Sequence, residues 1–196
     1  MIPLAGANVL MSAQLEKWHF TVDQYYRLAE VGVLRPEDRV ELIEGEIIRM
    51  SPIGSPHAAC VRRLSALLQQ QLSEQFMISV QNPVRLSEFS EPVPDIALLK
   101  PRDDFYAAHH PTPEDVLLIV EVSDTTLLTD RNVKMPLYAR AGITESWLVN
   151  LPRKMIEVYY ESSDGLYREC LKFKRDEVMP SPTISGLSLN VADIIG

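Results

Sequence analysis

The spacing of apolar and polar residues along the chain predicts three helices. Apolar residues recur every three or four positions over about residues 56–75, which predicts a long amphipathic helix. A shorter helix is predicted to begin after Thr21, which fits a capping box with Gln24, and to end near Gly32. A third helix is predicted within residues 130–141, where Gly142 follows the helical pattern.

Shorter apolar runs predict strands. Val40–Ile43 and residues 46–50, separated by Glu44 and Gly45, resemble a hairpin with a tight turn. Residues 116–122 form the most apolar run and predict a buried central strand. The other predicted strands are residues 77–81, 84–86, 95–99, 146–150, 155–160 and 166–173, and a last short element is expected near residues 191–195. This order predicts an α/β fold in which helices flank one mixed β-sheet.

Length and composition indicate a single globular domain over residues 1–196, with a core at about residues 20–175. No apolar run approaches the ~20 residues that span a bilayer, and residues 1–11 lack the basic start of a secretory signal. We therefore expect a cytoplasmic protein with no membrane partner. Cys60 and Cys170 are interpreted as buried thiols, with one long-range disulfide as the alternative.

The net charge of −8 argues against a protein that coats nucleic acid by bulk electrostatics. It does not exclude a nuclease, because a divalent metal supplies positive charge locally. Three basic segments can form a strip for nucleic acid, although an ordinary solvated surface is the simpler explanation: residues 100–102, 153–154 and 172–175. The long polar loop at residues 100–114 can flank a functional cleft.

Two acidic residues lie at the ends of strand-like segments. Asp95 opens one predicted strand, and Glu121 lies near the end of the most apolar one. A carboxylate in such a place is costly unless it is paired or bound to a cation. Either residue alone has an ordinary structural explanation, but two carboxylates on adjacent strands suit Mg²⁺, which keeps several waters and needs few protein ligands.

An ordered set of motifs resembles the PD-(D/E)XK nuclease superfamily and, more closely, the Uma family of putative restriction endonucleases. The motifs are residues 41–46 (ELIEGE), 50–52 (MSP) followed by His57, 94–95 (PD), 120–123 (VEVS), 130–134 (DRNVK), 137–143 (LYARAGI) and 145–149 (ESWLV). The resemblance spans about residues 20–160. It implies a restriction-endonuclease-like core and metal-dependent hydrolysis of phosphodiester bonds in DNA.

The resemblance also implies a set of site residues. Asp95 and Glu121 would bind Mg²⁺ or Mn²⁺, together with the carbonyl of Val122. The superfamily has a lysine two positions after the second acid, where this chain has Ser123. Lys134 on the following helix is implied to replace it, because a long lysine side chain can reach the same point from a neighbouring element. There it would orient the attacking water and stabilise charge on the phosphate.

A third acid and a histidine complete the predicted site. Glu46 is the expected acid, because Gly45 precedes it and the family pattern keeps a Gly-Glu pair; Glu41 and Glu44 are the alternatives. His57 can contact a phosphate or a water on the metal, or it can simply form a hydrogen bond at the start of the long helix.

Several other polar and aromatic residues have simpler structural interpretations. Asp130 is expected to cap a helix, with Arg131 beside it. Four acids and histidines have the residue types of a metal cluster, but exposed loop positions are the simpler explanation for them: Asp103, Asp104, His109 and His110. Packing explains the aromatic residues at core-like positions: Tyr138, Trp147 and Tyr159.

The leading hypothesis is thus a Mg²⁺-dependent DNA endonuclease, which by analogy would act as a homodimer. Two alternatives remain open at this point. The nuclease fold can serve as a non-catalytic interaction module, or the metal site can hydrolyse small phosphate esters.

Overall fold

The computed structural model describes residues 16–72 and 76–196, so the N-terminal segment 1–11 lies outside the described residues. Its strands are β1 (Val40–Ile43), β2 (Glu46–Arg49), β3 (Met77–Val80), β4 (Ile96–Leu99), β5 (Val116–Ser123), β6 (Glu145–Asn150), β7 (Met155–Ser163), β8 (Leu166–Lys174), β9 (Val178–Pro180) and β10 (Ser188–Asn190). The central sheet has the order β3-β4-β5-β6-β7-β8, and β1–β2 and β9–β10 form separate two-stranded sheets. Only the β5–β6 pair of the central sheet is parallel, so the sheet is mixed.

Helices lie between these strands: α1 (Val22–Glu30), α2 (Ser55–Leu72), α3 (Leu127–Thr129), α4 (Met135–Arg140) and α5 (Val191–Ile195). A π-helical segment, Asp130–Lys134, joins α3 to α4. Short 3-10 turns occupy Pro36–Asp38 and Pro113–Asp115. None of the helices in the described ranges is long and apolar enough to span a bilayer.

Two buried clusters cover the two faces of the central sheet. The first joins α2 and α5 to one face, through residues that include Leu64, Leu68, Ile96, Leu98, Val120 and Ile194. The second joins the β1–β2 hairpin and α4 to the other face, through residues that include Ile43, Ala97, Ile119, Met135, Tyr138 and Leu148. Strands β4 and β5 are buried on both faces, which explains why they appear in the sequence as continuous apolar runs.

The predicted mixed sheet flanked by helices is confirmed, and so are most of its elements. Thr21 and Gln24 form the capping box of α1. The hairpin and the buried central strand also lie where their patterns indicate. The long helix begins at Ser55 and is described to Leu72, and residues 73–75 of its predicted end lie outside the described residues.

Two expectations are wrong. Residues 84–86 are not part of a strand; Val84 and Leu86 are buried and bond to the nearby backbone of Pro92 and Ser90 instead. Their alternating apolar pattern results from burial of a loop and not from pairing in a sheet. Cys170 is exposed, because it lies on the edge strand β8, whereas Cys60 is buried as expected; both thiols are free.

Candidate active site

Strand register brings three polar residues together at one end of the central sheet. Val80 pairs with Ile96, and Ile96 pairs with Val120. One residue further along this end, Gln81 donates its backbone N–H to the carbonyl of Asp95 at 3.1 Å. The same antiparallel register places Asp95 opposite Glu121, and directly opposite residues of such a pair have Cβ atoms about 4.5–5.5 Å apart. The two predicted acids are therefore neighbours on adjacent strands.

Asp95 is 8% exposed, and its carboxylate is held by three donors. Its Oδ2 accepts from the backbone N–H of Val122 and lies against Nε2 of His57, both at 2.9 Å. Its Oδ1 accepts from the side-chain amide of Gln81 at 3.1 Å. This network fixes the carboxylate at the sheet end. It also places the Val122 backbone beside Asp95, while the use of the Val122 carbonyl as a metal ligand stays a prediction.

His57 reaches this carboxylate from the first turn of α2. The hydrogen bond that His57 donates to Asp95 raises the pKa of His57, against the opposing effect of burial. The imidazolium form therefore persists to a higher pH than it does in a free histidine. Its other nitrogen, Nδ1, is buried and has no hydrogen-bond partner in the described part of the chain.

Lys134 lies between two buried glutamates. Its ammonium is 3.0 Å from Oε2 of Glu41 and 3.2 Å from Oε1 of Glu121, and the residue is 6% exposed. The hydroxyl of Tyr138 also donates to Oε1 of Glu121, at 2.5 Å. Oε2 of Glu41 accepts in addition from the backbone N–H of Val93. These contacts hold the ammonium in one position beside the second predicted acid.

Negative charge exceeds positive charge in this cluster. Burial raises the pKa of Glu121 to about 8; Lys134 opposes this shift, whereas Asp130, Asp95 and Glu41 add to it. Burial lowers the pKa of Lys134, but Glu121 and Glu41 outweigh burial, so that pKa is raised overall. Burial is the main cause of the shift at Glu121, and the surrounding carboxylates add to it; carboxylates also raise the pKa of Lys134. A bound cation would relieve this surplus of negative charge.

The π-helical segment explains how Lys134 reaches the site from a following helix. At the start of the segment, Asp130 accepts from the hydroxyls of Ser123 and Thr126, both at 2.6 Å. Arg131 forms two hydrogen bonds with Glu157 on β7, which ties the segment to the sheet. Ser123, the departure from the superfamily pattern, thus anchors the segment that carries the lysine. Asp130 lies inside the helical run, at the end of α3, and its side chain does not cap a helix N-terminus, contrary to expectation.

The expectation that Glu46 is the third acid of the site is wrong. Glu46 is exposed and forms an ion pair with Lys17 at 2.8 Å, at the turn end of the hairpin. Glu44 is also exposed and pairs with Arg140 at 2.7 Å. The glutamate that meets Lys134 is Glu41, at the opposite end of the hairpin and 5% exposed. A glutamate beside the buried Leu42 and Ile43 is the signal that could have identified it, by the same reasoning that identified Glu121.

One cavity of about 330 Å³ collects these residues. Its walls include five acids, Glu41, Asp95, Glu121, Asp124 and Asp130, and also Lys134 and His57. Sequence reasoning did not select two arginines that also line it, Arg39 and Arg49. The loop expected to flank the cleft at residues 100–114 borders a different cavity, through Phe105, Tyr106, His110 and Pro111.

The mixed sheet, its flanking helices and its strand-end acids define a protein with a restriction-endonuclease-like fold. A family model described as "Uma2: Putative restriction endonuclease" matches residues 22–192. The chain belongs to this Uma2 family.

Comparison with solved structures supports the fold. The crystal structure of a putative nuclease belonging to DUF820, from Anabaena variabilis, is similar with a TM-score of 0.67. The match covers 90% of this chain and 97% of that chain at 18% sequence identity, so it speaks for the fold alone. No curated protein sequence matches the chain.

Proposed function

We propose that this protein is a nuclease that hydrolyses phosphodiester bonds in DNA with the help of Mg²⁺ or Mn²⁺. The observation that carries the proposal is the meeting of Asp95, Glu121 and Lys134 in one cavity at the end of the sheet. A homodimer in the cytoplasm is part of the same proposal by analogy, because an enzyme that cuts both strands of a duplex is commonly a symmetric pair.

The residues fit a hard divalent cation. In the described residues, no three His, Cys, Asp or Glu side chains are arranged so that together they could hold a metal ion. Mg²⁺ does not require three, since it binds through one or two carboxylates and keeps several waters. Asp95 and Glu121 supply two carboxylates on adjacent strands, and the surplus negative charge around Lys134 favours a cation beside them.

Each side chain has a role that follows from its contacts. The ion, when bound, would polarise the phosphate and make water more acidic. Lys134, held by Glu41 and Glu121, presents a fixed ammonium to charge that develops on the phosphate. His57 lines the cavity and, when its ring is protonated, would place a positive charge beside the Asp95 carboxylate. Gln81 and His57 keep the Asp95 carboxylate in place.

The direct test of this function is incubation of purified protein with supercoiled plasmid DNA. We expect nicked and then linear plasmid in the presence of Mn²⁺ or Mg²⁺, and intact plasmid when the metal is removed with EDTA. A plasmid that stays supercoiled with either metal, over the range of pH in which Glu121 ionises, would overturn the proposal. Metal binding without hydrolysis would instead favour a non-catalytic module on this fold.

Metal affinity is expected to depend on pH because of Glu121. Its pKa of about 8 means that the metal-free protein is mostly protonated at this carboxyl near pH 7. A metal needs the ionised form and must displace this proton. The apparent Mg²⁺ affinity should therefore rise roughly tenfold per pH unit below this pKa and level off above it. Calorimetry in buffers of different ionisation enthalpy measures the affinity and the released proton; an affinity that falls as pH rises would contradict the assignment of Glu121.

A further inference from the structure

Two arginines stand at the open end of the β1–β2 hairpin, beside the candidate active site. Arg49 pairs with Val40 in the hairpin, and the backbone N–H of Met50 donates to the carbonyl of Arg39 at 2.9 Å. Arg39 and Arg49 are therefore held close together by the hairpin. Both are exposed, and both line the cavity that contains Asp95 and Glu121.

These arginines have no carboxylate partner in residues 16–72 and 76–196. Five other arginines do form ion pairs there: Arg85, Arg102, Arg131, Arg140 and Arg168. Glu41 lies on the same hairpin, but its carboxylate forms an ion pair with Lys134 instead. Two guanidinium groups thus remain available at the opening of an acidic cavity, where their planar N–H donors suit phosphate oxygens.

A second cavity continues from this opening. It has a volume of about 320 Å³ and shares Arg39 and Val93 with the cavity that holds the acids. Its walls include Tyr25, Tyr26, Arg35, Pro36 and Pro83. A small phosphate ester would occupy only the first cavity, whereas a polymer must leave it and cross Arg39 to reach the second. The second cavity offers aromatic and apolar surface, which a nucleoside can contact.

The backbone of Arg39 is consistent with a functional side chain. Its φ of 43° and ψ of 74° lie in the left-handed region, which residues other than glycine adopt infrequently. Such residues are common at ligand-binding sites. The conformation follows the 3-10 turn at Pro36–Asp38 and leads directly into β1.

For binding of a polyanion at this opening, the local charge matters more than the net charge of −8. Charges that are exposed to solvent act over about 8 Å at physiological ionic strength. A phosphate that approaches the cavity meets five acids inside it, so positive charge at the opening is needed to hold a polyanion. Arg39 and Arg49 provide it, whereas the basic segments singled out in the sequence, at residues 100–102, 153–154 and 172–175, do not line the cavity.

We infer that Arg39 and Arg49 contact backbone phosphates that flank the scissile phosphodiester of a DNA strand, which runs from the acidic cavity across Arg39 into the second cavity. This inference rests on the proposed function for the position of the scissile bond. It assigns the substrate as a polynucleotide and excludes a small phosphate ester as the molecule for which the site is built.

Binding of a fluorescently labelled DNA duplex in EDTA tests this inference without catalysis. Fluorescence anisotropy would compare the full chain with Arg39→Ala, Arg49→Ala and a control, Arg62→Ala, which alters an exposed arginine of α2 outside both cavities. Each cavity arginine should contribute one phosphate contact. We therefore expect each substitution to weaken binding about 5- to 10-fold, and to reduce the slope of log affinity against log salt by about one. The control should bind as the wild type does.

A second measurement separates positioning of DNA from a general structural role. With metal present, each substitution should raise KM for DNA by a larger factor than it raises KM for the small diester bis(p-nitrophenyl) phosphate. Binding and salt dependence equal to wild type in both variants would overturn the inference, as would a wild-type protein that does not bind the duplex. If the wild type cuts plasmid but the variants bind normally, only this inference fails. If the wild type cuts nothing, the proposed function fails, and the binding data still decide the role of the arginines.

Discussion

Asp95→Asn is expected to abolish metal-dependent cleavage of plasmid DNA, with a loss of at least about 100-fold. Substitution of residues that merely support metal ligands commonly costs 10–100-fold, so the loss of a ligand should cost no less. Asparagine keeps the size and the fold of the site but removes the charge that faces the cation. It also places an amide near two donors, the Val122 N–H and the His57 ring, which now meet a poorer acceptor.

Plasmid nicking at fixed Mn²⁺ measures this effect, and Glu46→Gln is the matched control. Glu46 is an exposed acid with a surface partner, so its substitution should leave the rate near that of the wild type. Circular dichroism would show that both variants fold. Cleavage by Asp95→Asn at the wild-type rate would contradict the role of Asp95 and would point to a contaminating nuclease. Loss of cleavage in Glu46→Gln would instead support the expectation, drawn from the sequence, that Glu46 is the third acid of the site.

Lys134→Met is expected to impair both stability and cleavage. The substitution leaves Glu41 and Glu121 buried without the ammonium group that they share. Removal of one partner of a buried ion pair typically lowers the free energy of unfolding by about 3–5 kcal/mol. The pKa of Lys134 is raised in the folded protein, so its stabilising contribution is complete below the lysine pKa of about 10.4 in the unfolded chain. The loss should be largest above about pH 8, where Glu121 is ionised. It should be smaller at neutral pH and below, because protonation of Glu121 removes one of the two unpaired charges.

Urea denaturation at several pH values measures this loss in the free energy of unfolding. The double variant Lys134→Met/Glu41→Gln is the control, since it removes one of the two stranded carboxylates and should recover part of the stability. Cleavage should remain absent in both variants, because neither has the ammonium. A single variant as stable as the wild type across this pH range would mean that the buried ion pairs do not form.

Local pattern was enough to select Asp95 and Glu121 as candidates, whereas Lys134 was selected through the resemblance to the Uma family. Asp95 and Glu121 could be found because alternation and burial put carboxylates where apolar residues would otherwise lie. Glu41 satisfies the same criterion, yet the Gly-Glu motif at Gly45 drew attention to Glu46. The Gly-Glu motif indicates the turn of the hairpin, whereas burial of a glutamate within a strand indicates a residue of the site.

The partners of these residues could not be predicted, because they depend on long-range packing. His57 and Asp95 are separated by 38 positions in the chain, and no local pattern indicates their contact. The role of Ser123 depends on a π-helical segment, which has no sequence signature of its own. Arg39 and Arg49 come together only through the hairpin, since each alone is an ordinary exposed arginine.

The central claim is that Asp95 and Glu121 together bind one divalent cation. Titration with Mn²⁺, followed by its electron paramagnetic resonance signal at about pH 8.5, tests it most directly, because Glu121 is then mostly ionised. We expect one bound ion per wild-type chain at millimolar Mn²⁺ or below, and loss of that ion in Asp95→Asn and in Glu121→Gln. Absence of binding in the wild type, or undiminished binding in both variants, would contradict it.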